Sequence, residues 1–300
     1  MKKILPRSLA LMLPLLVACT PPPPTQKSQP RYTVGQPYEM GGTWSYPRED
    51  FSLRETGLAT VVPDARAGRV TTDGEIYDPA LLTAAHRTLQ LPAILTVTNL
   101  ENGLSLRVRA NDRGPSQPGR VLALSRRAAE LLGISAGGTQ VAIAVDPELS
   151  RALSAGLPQP DAPRIAIETA PRETLQAESL APPPGARAAE QVRQGRGPTP
   201  VAAVSVEPTA QAVPDRLPEA VSQGYARPGQ LYVQASTFTT RSAAQRQAAR
   251  IGGARVEVIG SGRSAEYRVR LGPYGSVAQA DAGLEVVRRS GVSDARILVD

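Results

Sequence analysis

A long proline-rich stretch between residues 147 and 226 limits what this chain can fold into. From residue 147 to residue 224 there is no phenylalanine, tryptophan or tyrosine, whereas proline recurs throughout and occurs three times in succession at 182–184. A segment of this composition buries too little apolar surface to offset the entropy that is lost on ordering. The 300 residues are enough for two ordinary domains. We therefore predict a disordered linker over residues 147–226, with a folded region on each side.

The composition excludes several kinds of site. The chain has one cysteine and one histidine, which rules out a disulfide framework and leaves no spacing for a zinc or other soft-metal site. We predict no metal and no cofactor. The net charge of +7 comes almost entirely from arginine, because lysine occurs only at positions 2, 3 and 27. Arginine richness of this kind also follows from genome composition, so the charge does not predict nucleic acid as a partner.

The N-terminus has the pattern of an exported, lipid-anchored protein. Two lysines precede an apolar run at 9–18, which is too short to span a bilayer and is typical of a signal peptide. The only cysteine, Cys19, follows the triplet Leu-Val-Ala, which resembles a bacterial lipobox. We predict a signal peptide over residues 1–18, a diacylglyceryl-modified Cys19 that anchors the protein in a lipid bilayer, and a proline-rich tether over residues 19–30.

The residue after the cysteine bears on sorting. Thr20 stands where an aspartate would retain a lipoprotein in the inner membrane, so by analogy with lipoprotein sorting we expect an outer-membrane lipoprotein that faces the periplasm. The alternative is a chance cysteine beside an ordinary signal-peptide cleavage site.

Two further regions precede the linker. Residues 31–53 carry aromatic residues at positions 32, 38, 44, 46 and 51, interleaved with glycine and proline, and we predict an arm that packs on the next domain as a structural brace. Residues 54–146 alternate short apolar runs with turn signals, the pattern of a small β-barrel. Within them, a strand at 94–98, the turn Asn102-Gly103 and an alternating strand indicate a hairpin.

Residues 227–300 have the pattern of a small α+β domain. Strand signals at 232–236, 255–259, 267–271 and 297–299 are separated by two helical patterns that end at glycine. The order βαββαβ predicts a four-stranded antiparallel sheet with both helices on one face and the other face free to bind. The fold class is therefore mainly β before the linker and α+β after it.

Specific sequence blocks resemble known families. The blocks TTDGEIYD at 71–78, LTAAHRTL at 82–89, VTNLENG at 97–103 and NDRGP at 111–115 look like the double-psi β-barrel of the rare lipoprotein A family. The blocks LYVQASTF at 231–238 and YRVRLGPY at 267–274 resemble a SPOR domain. The resemblance implies a lytic transglycosylase of the division septum. Such enzymes cleave the β-1,4 bond between MurNAc and GlcNAc in peptidoglycan from which amidases have removed the stem peptides, and SPOR domains bind these denuded strands.

Glycosidic bond cleavage requires a proton for the leaving oxygen and stabilisation of an oxocarbenium-like charge, which carboxyl groups supply. Asp112 is the candidate acid, because it follows a barrel strand and precedes a Gly-Pro loop; once deprotonated it can activate the C6 hydroxyl of MurNAc, which gives a 1,6-anhydro end. Arg113 would oppose this role unless its side chain points away. By resemblance, Glu75 and His86 also fall on positions implicated in activity, Glu75 in charge stabilisation or substrate contacts and His86, at the end of an alanine-rich helical turn, in orientation.

The chain also departs from the family pattern. TVVP at 60–63 and RAGR at 66–69 stand where the family usually has Ser-Trp-Tyr-Gly and Phe-His-Gly-Arg. Aromatic residues that stack on sugar rings are thus missing, and poor positioning lowers the rate of reaction. A catalytically degenerate septal lipoprotein that only binds peptidoglycan is the main alternative, and a hydrolytic glycosidase that leaves reducing ends is the third.

The C-terminal sheet supplies a candidate binding surface. Alternation places Gln234 and Ser236 on one face, together with Arg268 and Arg270 of a second strand. Each MurNAc of a denuded strand carries a free lactyl carboxylate, which arginine can pair with. We predict denuded glycan strands as the main partner, possible septal proteins as others, and no nucleic acid. The predicted glycan-binding residues are Gln234, Ser236, Phe238, Arg268, Arg270 and Tyr274.

Overall fold

The structure, a computed structural model, describes residues 27–160 and 216–300. The predicted signal peptide, Cys19 and residues 161–215 of the predicted linker lie outside the described residues. Within the two described ranges, no helix has the length and apolar character needed to cross a membrane.

The N-terminal arm lies against the first folded region. Strands β1 (Tyr38–Met40) and β2 (Thr43–Ser45) form a short antiparallel hairpin. Tyr32 is buried, and the Tyr38 hydroxyl donates a hydrogen bond of 2.9 Å to the backbone carbonyl of Arg87. Trp44 and Tyr46, by contrast, are 55% and 65% exposed. The arm is therefore held by its first aromatic residues and presents the later ones to solvent.

The first folded region is a closed barrel of six strands. They are β3 (Arg54–Val61), β4 (Thr83–His86), β5 (Ala93–Asn99), β6 (Leu104–Asp112), β7 (Arg120–Leu124) and β8 (Thr139–Val145). Their order is β4-β7-β3-β8-β5-β6, and β4 also pairs with β6, which closes the sheet on itself. The β3–β7 and β4–β6 pairs are parallel and the others antiparallel. This is the predicted double-psi barrel.

Alternation along the strands builds the barrel core. Leu106, Val108 and Ala110 of β6 are at most 1% exposed, and they pack with apolar residues of the other strands. Helix α1 (Arg126–Leu132) covers one end of this core; the Ser125 hydroxyl caps its start and Gly133, in the left-handed conformation, ends it.

The prediction that His86 ends a helical turn is wrong. His86 is the last residue of β4, and all four residues of this strand are buried. Alanine favours a helix in isolation, but β4 hydrogen-bonds to β7 on one side and to β6 on the other. Pairing on both edges outweighs the local preference.

The described ends of the predicted linker are ordered, so its predicted boundaries at 147 and 226 are wrong. Helix α2 (Pro147–Gly156) begins at the side-chain cap of Asp146 and carries proline in its first turn. Its buried Ser150 exchanges hydrogen bonds with the backbone of Ile94 in β5. At the far end, β9 (Ser222–Gln223) pairs with β6. Both pieces lack aromatic residues but are held by backbone and polar contacts to the barrel, which composition does not reveal.

The C-terminal region has the predicted α+β fold. Its sheet has the order β11-β12-β10-β13 and is antiparallel throughout. Two helices cover one face, where Val233, Val269 and Leu284 form part of the apolar core. The elements are β10 (Leu231–Phe238), α3 (Arg241–Arg250), β11 (Arg255–Ile259), β12 (Glu266–Tyr274), α4 (Val277–Arg289) and β13 (Arg296–Val299).

The C-terminal domain packs directly on the barrel. Leu58 of β3 is fully buried and belongs to the apolar core of the C-terminal domain. The Arg120 guanidinium, whose side chain is 1% exposed, binds both carboxylate oxygens of Asp281 in α4, at 2.6 and 2.9 Å. Gly119 has φ +74°, and a Cβ there would lie 2.6 Å from the Leu284 side chain. The close approach of the two domains thus requires glycine at this position.

Candidate active site

Asp112 is held at the end of β6 by donors on every side. Its Oδ1 accepts hydrogen bonds from the Thr72 backbone N–H at 3.0 Å, from the Thr72 hydroxyl at 2.7 Å and from the Arg113 backbone N–H at 2.8 Å. Its Oδ2 lies 2.6 Å from Nη2 of Arg66. The side chain is 13% exposed. These contacts fix the carboxyl group in one orientation at the wall of a cavity.

The Arg113 side chain points away from the Asp112 carboxyl group, which answers the question that the sequence left open. Its guanidinium donates to the backbone carbonyls of Val34 and Leu89. Burial lowers the pKa of Arg113, and the nearby Tyr38 and Asp112 oppose that shift. Arg113 therefore joins the N-terminal arm to the barrel, and only its backbone N–H contacts the carboxylate.

The arginine side chain that pairs with the Asp112 carboxylate is that of Arg66 and not that of Arg113. Arg66 lies on a short 3-10 turn, Asp64–Arg66, and its side chain is 37% exposed. Sequence reasoning noted Arg66 only as a departure from the family's aromatic residue and missed its ion pair with Asp112, because 46 residues separate the two in the chain. The cavity that Asp112 and Arg66 line has a volume of about 170 Å³, and Tyr77, Asn111 and Ala123 also face it.

Glu75 is held on another side of the barrel wall. One of its oxygens forms an ion pair with Arg109, and Oε2 accepts a hydrogen bond of 2.7 Å from the Asn111 side chain. Arg109 and Asn111 lie two apart in β6, and both side chains reach the Glu75 carboxylate. Glu75 lines a separate cavity with Arg109 and Arg216. The negative charge of Glu75 is thus compensated by the ion pair with Arg109.

A second carboxyl group, which the sequence analysis did not single out, lies beside Glu75. Asp73 is fully buried; its Oδ1 accepts hydrogen bonds from the Thr71 hydroxyl at 2.6 Å and the Glu75 backbone N–H at 3.1 Å. Its Oδ2 has no partner among the described residues. Burial, and then the charge of Glu75, raise the pKa of Asp73 to about 7. The only hint in the sequence is the position of Asp73 in the block that carries Glu75.

His86 contacts a different carboxylate. Its Nδ1 accepts hydrogen bonds from the backbone N–H groups of Thr88 and Leu89, so the ring proton is on Nε2 and donates to Glu55 over 2.8 Å. Burial opposes the charge on Glu55, but the hydrogen bond from His86, together with the charge of Arg296, outweighs it and lowers the pKa of Glu55. Both residues line a third cavity of about 310 Å³, next to the exposed Trp44 and Tyr46.

The structure does not bring the three predicted catalytic side chains together. Asp112, Glu75 and His86 each line a different cavity. Asp112 has the geometry for direct contact with a ligand, whereas Glu75 and His86 are bound to Arg109 and Glu55. This arrangement favours one reacting carboxyl group with two positioning residues behind it.

Only part of the predicted glycan-binding set shares one face of the C-terminal sheet. Gln234 and Arg270 are cross-strand partners on the face away from the helices. A bulge between Gln234 and Ser236 then places Ser236 opposite the buried Val269. Thr237 takes the place predicted for Ser236: it lies opposite Arg268 and accepts a hydrogen bond of 3.2 Å from the Gln234 side chain.

Phe238 and Tyr274 also lie on the helix side of the sheet. Both pack against the apolar core of the domain, and Tyr274 contacts α4 at Gly283. Opposite Leu231 and Val233 of β10, strand β12 carries one extra residue. This extra residue shifts the alternation of side chains between the two faces, so Tyr274 points to the helix side. Arg270 is on the open face, but it is paired with Glu257 and Asp300 and lies over the Tyr232 ring.

Within residues 27–160 and 216–300, no group of three or more histidine, cysteine, aspartate and glutamate side chains is placed to hold a metal ion.

Comparisons with known families divide the chain as the structure does. Residues 55–143 match the family described as lytic transglycolase, and residues 228–297 match the SPOR domain. Among solved structures, the SPOR domain of RlpA from Pseudomonas aeruginosa matches with a TM-score of 0.22 and 23% identity, over 23% of this chain and 99% of that one.

Several similar proteins carry the name endolytic peptidoglycan transglycosylase RlpA. That of Pseudomonas aeruginosa strain UCBPP-PA14 is 33% identical over 271 residues, which cover 84% of this chain and 73% of the relative. That of Yersinia pestis is 41% identical over 143 residues, 40% of each chain. That of Escherichia coli K12 is 39% identical over 104 residues, 34% of this chain and 29% of the relative. The matched part thus spans less than half of the Yersinia and Escherichia proteins.

Proposed function

The chain belongs to the RlpA family, and from that membership we propose that it is a lytic transglycosylase, which cleaves the β-1,4 bond between MurNAc and GlcNAc in peptidoglycan strands that have lost their stem peptides. The match to an RlpA protein over 84% of the chain carries this proposal. The position of Asp112 supports it, because this carboxyl group lies at a cavity wall on a rigid strand end.

Asp112 acts as the acid and then as the base. It donates a proton to the leaving oxygen of GlcNAc, and the resulting carboxylate accepts the proton of the MurNAc C6 hydroxyl as that oxygen attacks C1. The product is a 1,6-anhydro-MurNAc end, and no water is consumed. Glu75 positions Asn111, the neighbour of Asp112, and His86 fixes Glu55, so that both act through other residues.

The proposal is tested with Asp112→Asn on amidase-treated sacculi. Asparagine keeps an acceptor for the Thr72 and Arg113 donors but cannot deliver the proton, so release of anhydro-MurNAc products should fall at least a hundredfold, which is the usual contribution of general acid catalysis. Asp64→Asn is the matched control, because Asp64 forms an exposed ion pair with Arg126 and should leave the rate unchanged. Anhydro products from Asp112→Asn at the wild-type rate would assign the acid to another residue.

Two alternatives give different products. A binding-only barrel is favoured by the ion pair of Asp112 with Arg66, which occupies the carboxyl group. Such a barrel would retain denuded sacculi and release no products. A hydrolytic glycosidase would release reducing ends in place of anhydro ends. Mass spectrometry of the wild-type digest separates all three.

The cellular setting is part of the same proposal. The protein is anchored in the outer membrane through acylated Cys19, faces the periplasm, and is brought to the septum when its SPOR domain binds denuded strands. Support comes from the lipobox-like sequence and from the SPOR match over residues 228–297. Incorporation of labelled palmitate by the wild type but not by Cys19→Ala checks the anchor, and a septal signal from the exported SPOR region joined to a fluorescent protein checks the location.

A further inference from the structure

Arg66 has hydrogen-bonding capacity that the described part of the chain does not use. Its Nη2 pairs with Asp112, whereas its Nε is buried and has no partner among the described residues. A guanidinium presents five N–H groups in a planar fork, and the fork fits a second oxygen ligand beside the first. The side chain is 37% exposed, so a ligand in the cavity can reach it.

Tyr77 supplies a second unused group in the same cavity. It is 4% exposed, its side chain lines the cavity with Arg66 and Asp112, and its hydroxyl has no partner among the described residues. Buried polar atoms in folded proteins are almost always hydrogen-bonded, so an unpartnered hydroxyl that faces a cavity indicates a polar ligand.

We propose that Arg66 and Tyr77 form a subsite for the free lactyl carboxylate of MurNAc, immediately beside Asp112. The inference rests on the proposed function and names how the enzyme selects its substrate. A single carboxylate suits this site. Its oxygens can accept hydrogen bonds from the Arg66 guanidinium and from the Tyr77 hydroxyl, and its one negative charge complements that of the guanidinium. In a MurNAc that still bears its stem peptide, the lactyl carboxyl group is part of an uncharged amide. Arg66 then has no substrate carboxylate to bind and stays paired with Asp112.

Binding at this subsite changes the environment of Asp112. When the guanidinium turns toward the substrate carboxylate, Asp112 loses part of its ion pair and gains a negative neighbour. Both changes release the Asp112 carboxyl group from Arg66 for contact with the substrate. The remaining arginine nearby, Arg113, is held by the carbonyls of Val34 and Leu89 and does not take over the pairing. Recognition of a stripped strand thus prepares the acid for reaction.

The test compares two forms of one substrate, amidase-stripped glycan strands with free lactyl carboxylates and the same strands with those carboxylates converted to primary amides. The full-length wild type should cleave the free-acid strands with a kcat/KM at least about tenfold higher, the value of a charge-assisted hydrogen bond. Arg66→Gln should reduce this preference to within about twofold. Tyr77→Phe should reduce the preference partly.

Arg69→Gln is the matched control, because Arg69 lies three residues further on and is exposed; it should keep the wild-type preference. Arg66→Lys, which keeps the charge without the fork, should keep an intermediate preference and shows that the loss in Arg66→Gln is not a folding defect. A wild-type preference that persists in Arg66→Gln overturns the subsite.

A binding measurement separates the subsite from the catalytic proposal. The Arg66 Nε–H signal in the NMR spectrum of the full chain is identified by its absence in Arg66→Lys. It should move on addition of the disaccharide GlcNAc–MurNAc with a free lactyl carboxylate, and should not move with the lactyl amide. If the signal moves but neither strand is cleaved, the subsite stands and the transglycosylase proposal fails. If strands are cleaved and the signal does not move, the subsite fails.

Discussion

At the scale of single residues, buried charges decide what each carboxyl group can do. Asp112, Glu75 and Glu55 are each bound by a cationic or N–H donor group of a distant part of the chain. Asp73 is different, because burial leaves one of its oxygens unpartnered. The sequence identified Asp112 from its place after a strand, but neither Arg66 nor Asp73 followed from any local pattern, since their surroundings come from residues far along the chain.

The buried Asp73 should make the stability of the protein depend on pH. Its folded pKa of about 7 is above the ordinary value of 3.8, so the folded state keeps a proton that the unfolded state loses, and stability falls as pH rises from about 4 to about 7. Asp73→Asn removes this dependence. The free energy of unfolding of Asp73→Asn, relative to wild type, should therefore rise by roughly 3–4 kcal/mol between pH 4 and pH 8.

Denaturant titrations of both proteins at several pH values check this prediction, and taking the difference between them cancels the other titrating groups. A difference that stays constant across this range would show that Asp73 is charged in the folded protein despite its burial and its neighbour Glu75.

At the scale of elements, strand and helix signals that depend on near neighbours were reliable. The βαββαβ order of the C-terminal domain is confirmed. A prediction that needed strict alternation failed at a bulge, as for Ser236 in β10. A bulge depends on the partner strand, which a single strand's sequence does not contain.

Helix α2 provides a test of whether residues 147–156 belong to the barrel. Ser150→Ala removes the hydroxyl that accepts from the buried Ile94 N–H at 3.0 Å, so the N–H loses its partner and stability should fall by about 1–3 kcal/mol. Ser154→Ala is the matched control: Ser154 is only partly buried and bonds within its own helix, so the change should be below about 0.5 kcal/mol. Equal effects in thermal unfolding would mean that α2 does not dock on β5.

At the scale of the whole molecule, the two folded regions share an interface that the sequence did not predict. Leu58, Gly119 and Arg120 of the barrel meet α4 and β13 of the SPOR domain. The Thr56 hydroxyl also donates a hydrogen bond of 2.5 Å to the carbonyl of Val299. Under the proposed function both regions bind glycan. Because the interface fixes their relative position, they would bind one strand in a single geometry, which a free tether would not impose.

Breaking the ion pair at this interface should uncouple the domains. Asp281→Ala leaves the Arg120 guanidinium, whose side chain is 1% exposed, without its carboxylate. Because Asp281 itself is 40% exposed, the expected loss is about 1–3 kcal/mol, below that of a fully buried pair. Calorimetry should show one unfolding transition in the wild type and two in Asp281→Ala.

Glu285→Ala, on the exposed side of the same helix, should behave as the wild type. Two transitions in the wild type itself would contradict a stable contact between the domains.

The sequence by itself determined the two folded regions, the βαββαβ order of elements in the C-terminal domain and the family, because turns and alternation act between residues that are close in the chain. The tertiary structure decided the partners of Asp112, Glu75 and His86, the parity of β10 beyond its bulge and the docking of the domains. These depend on contacts such as Arg66 with Asp112 and Arg120 with Asp281, 46 and 161 residues apart, which form only when the barrel closes and α4 packs on it.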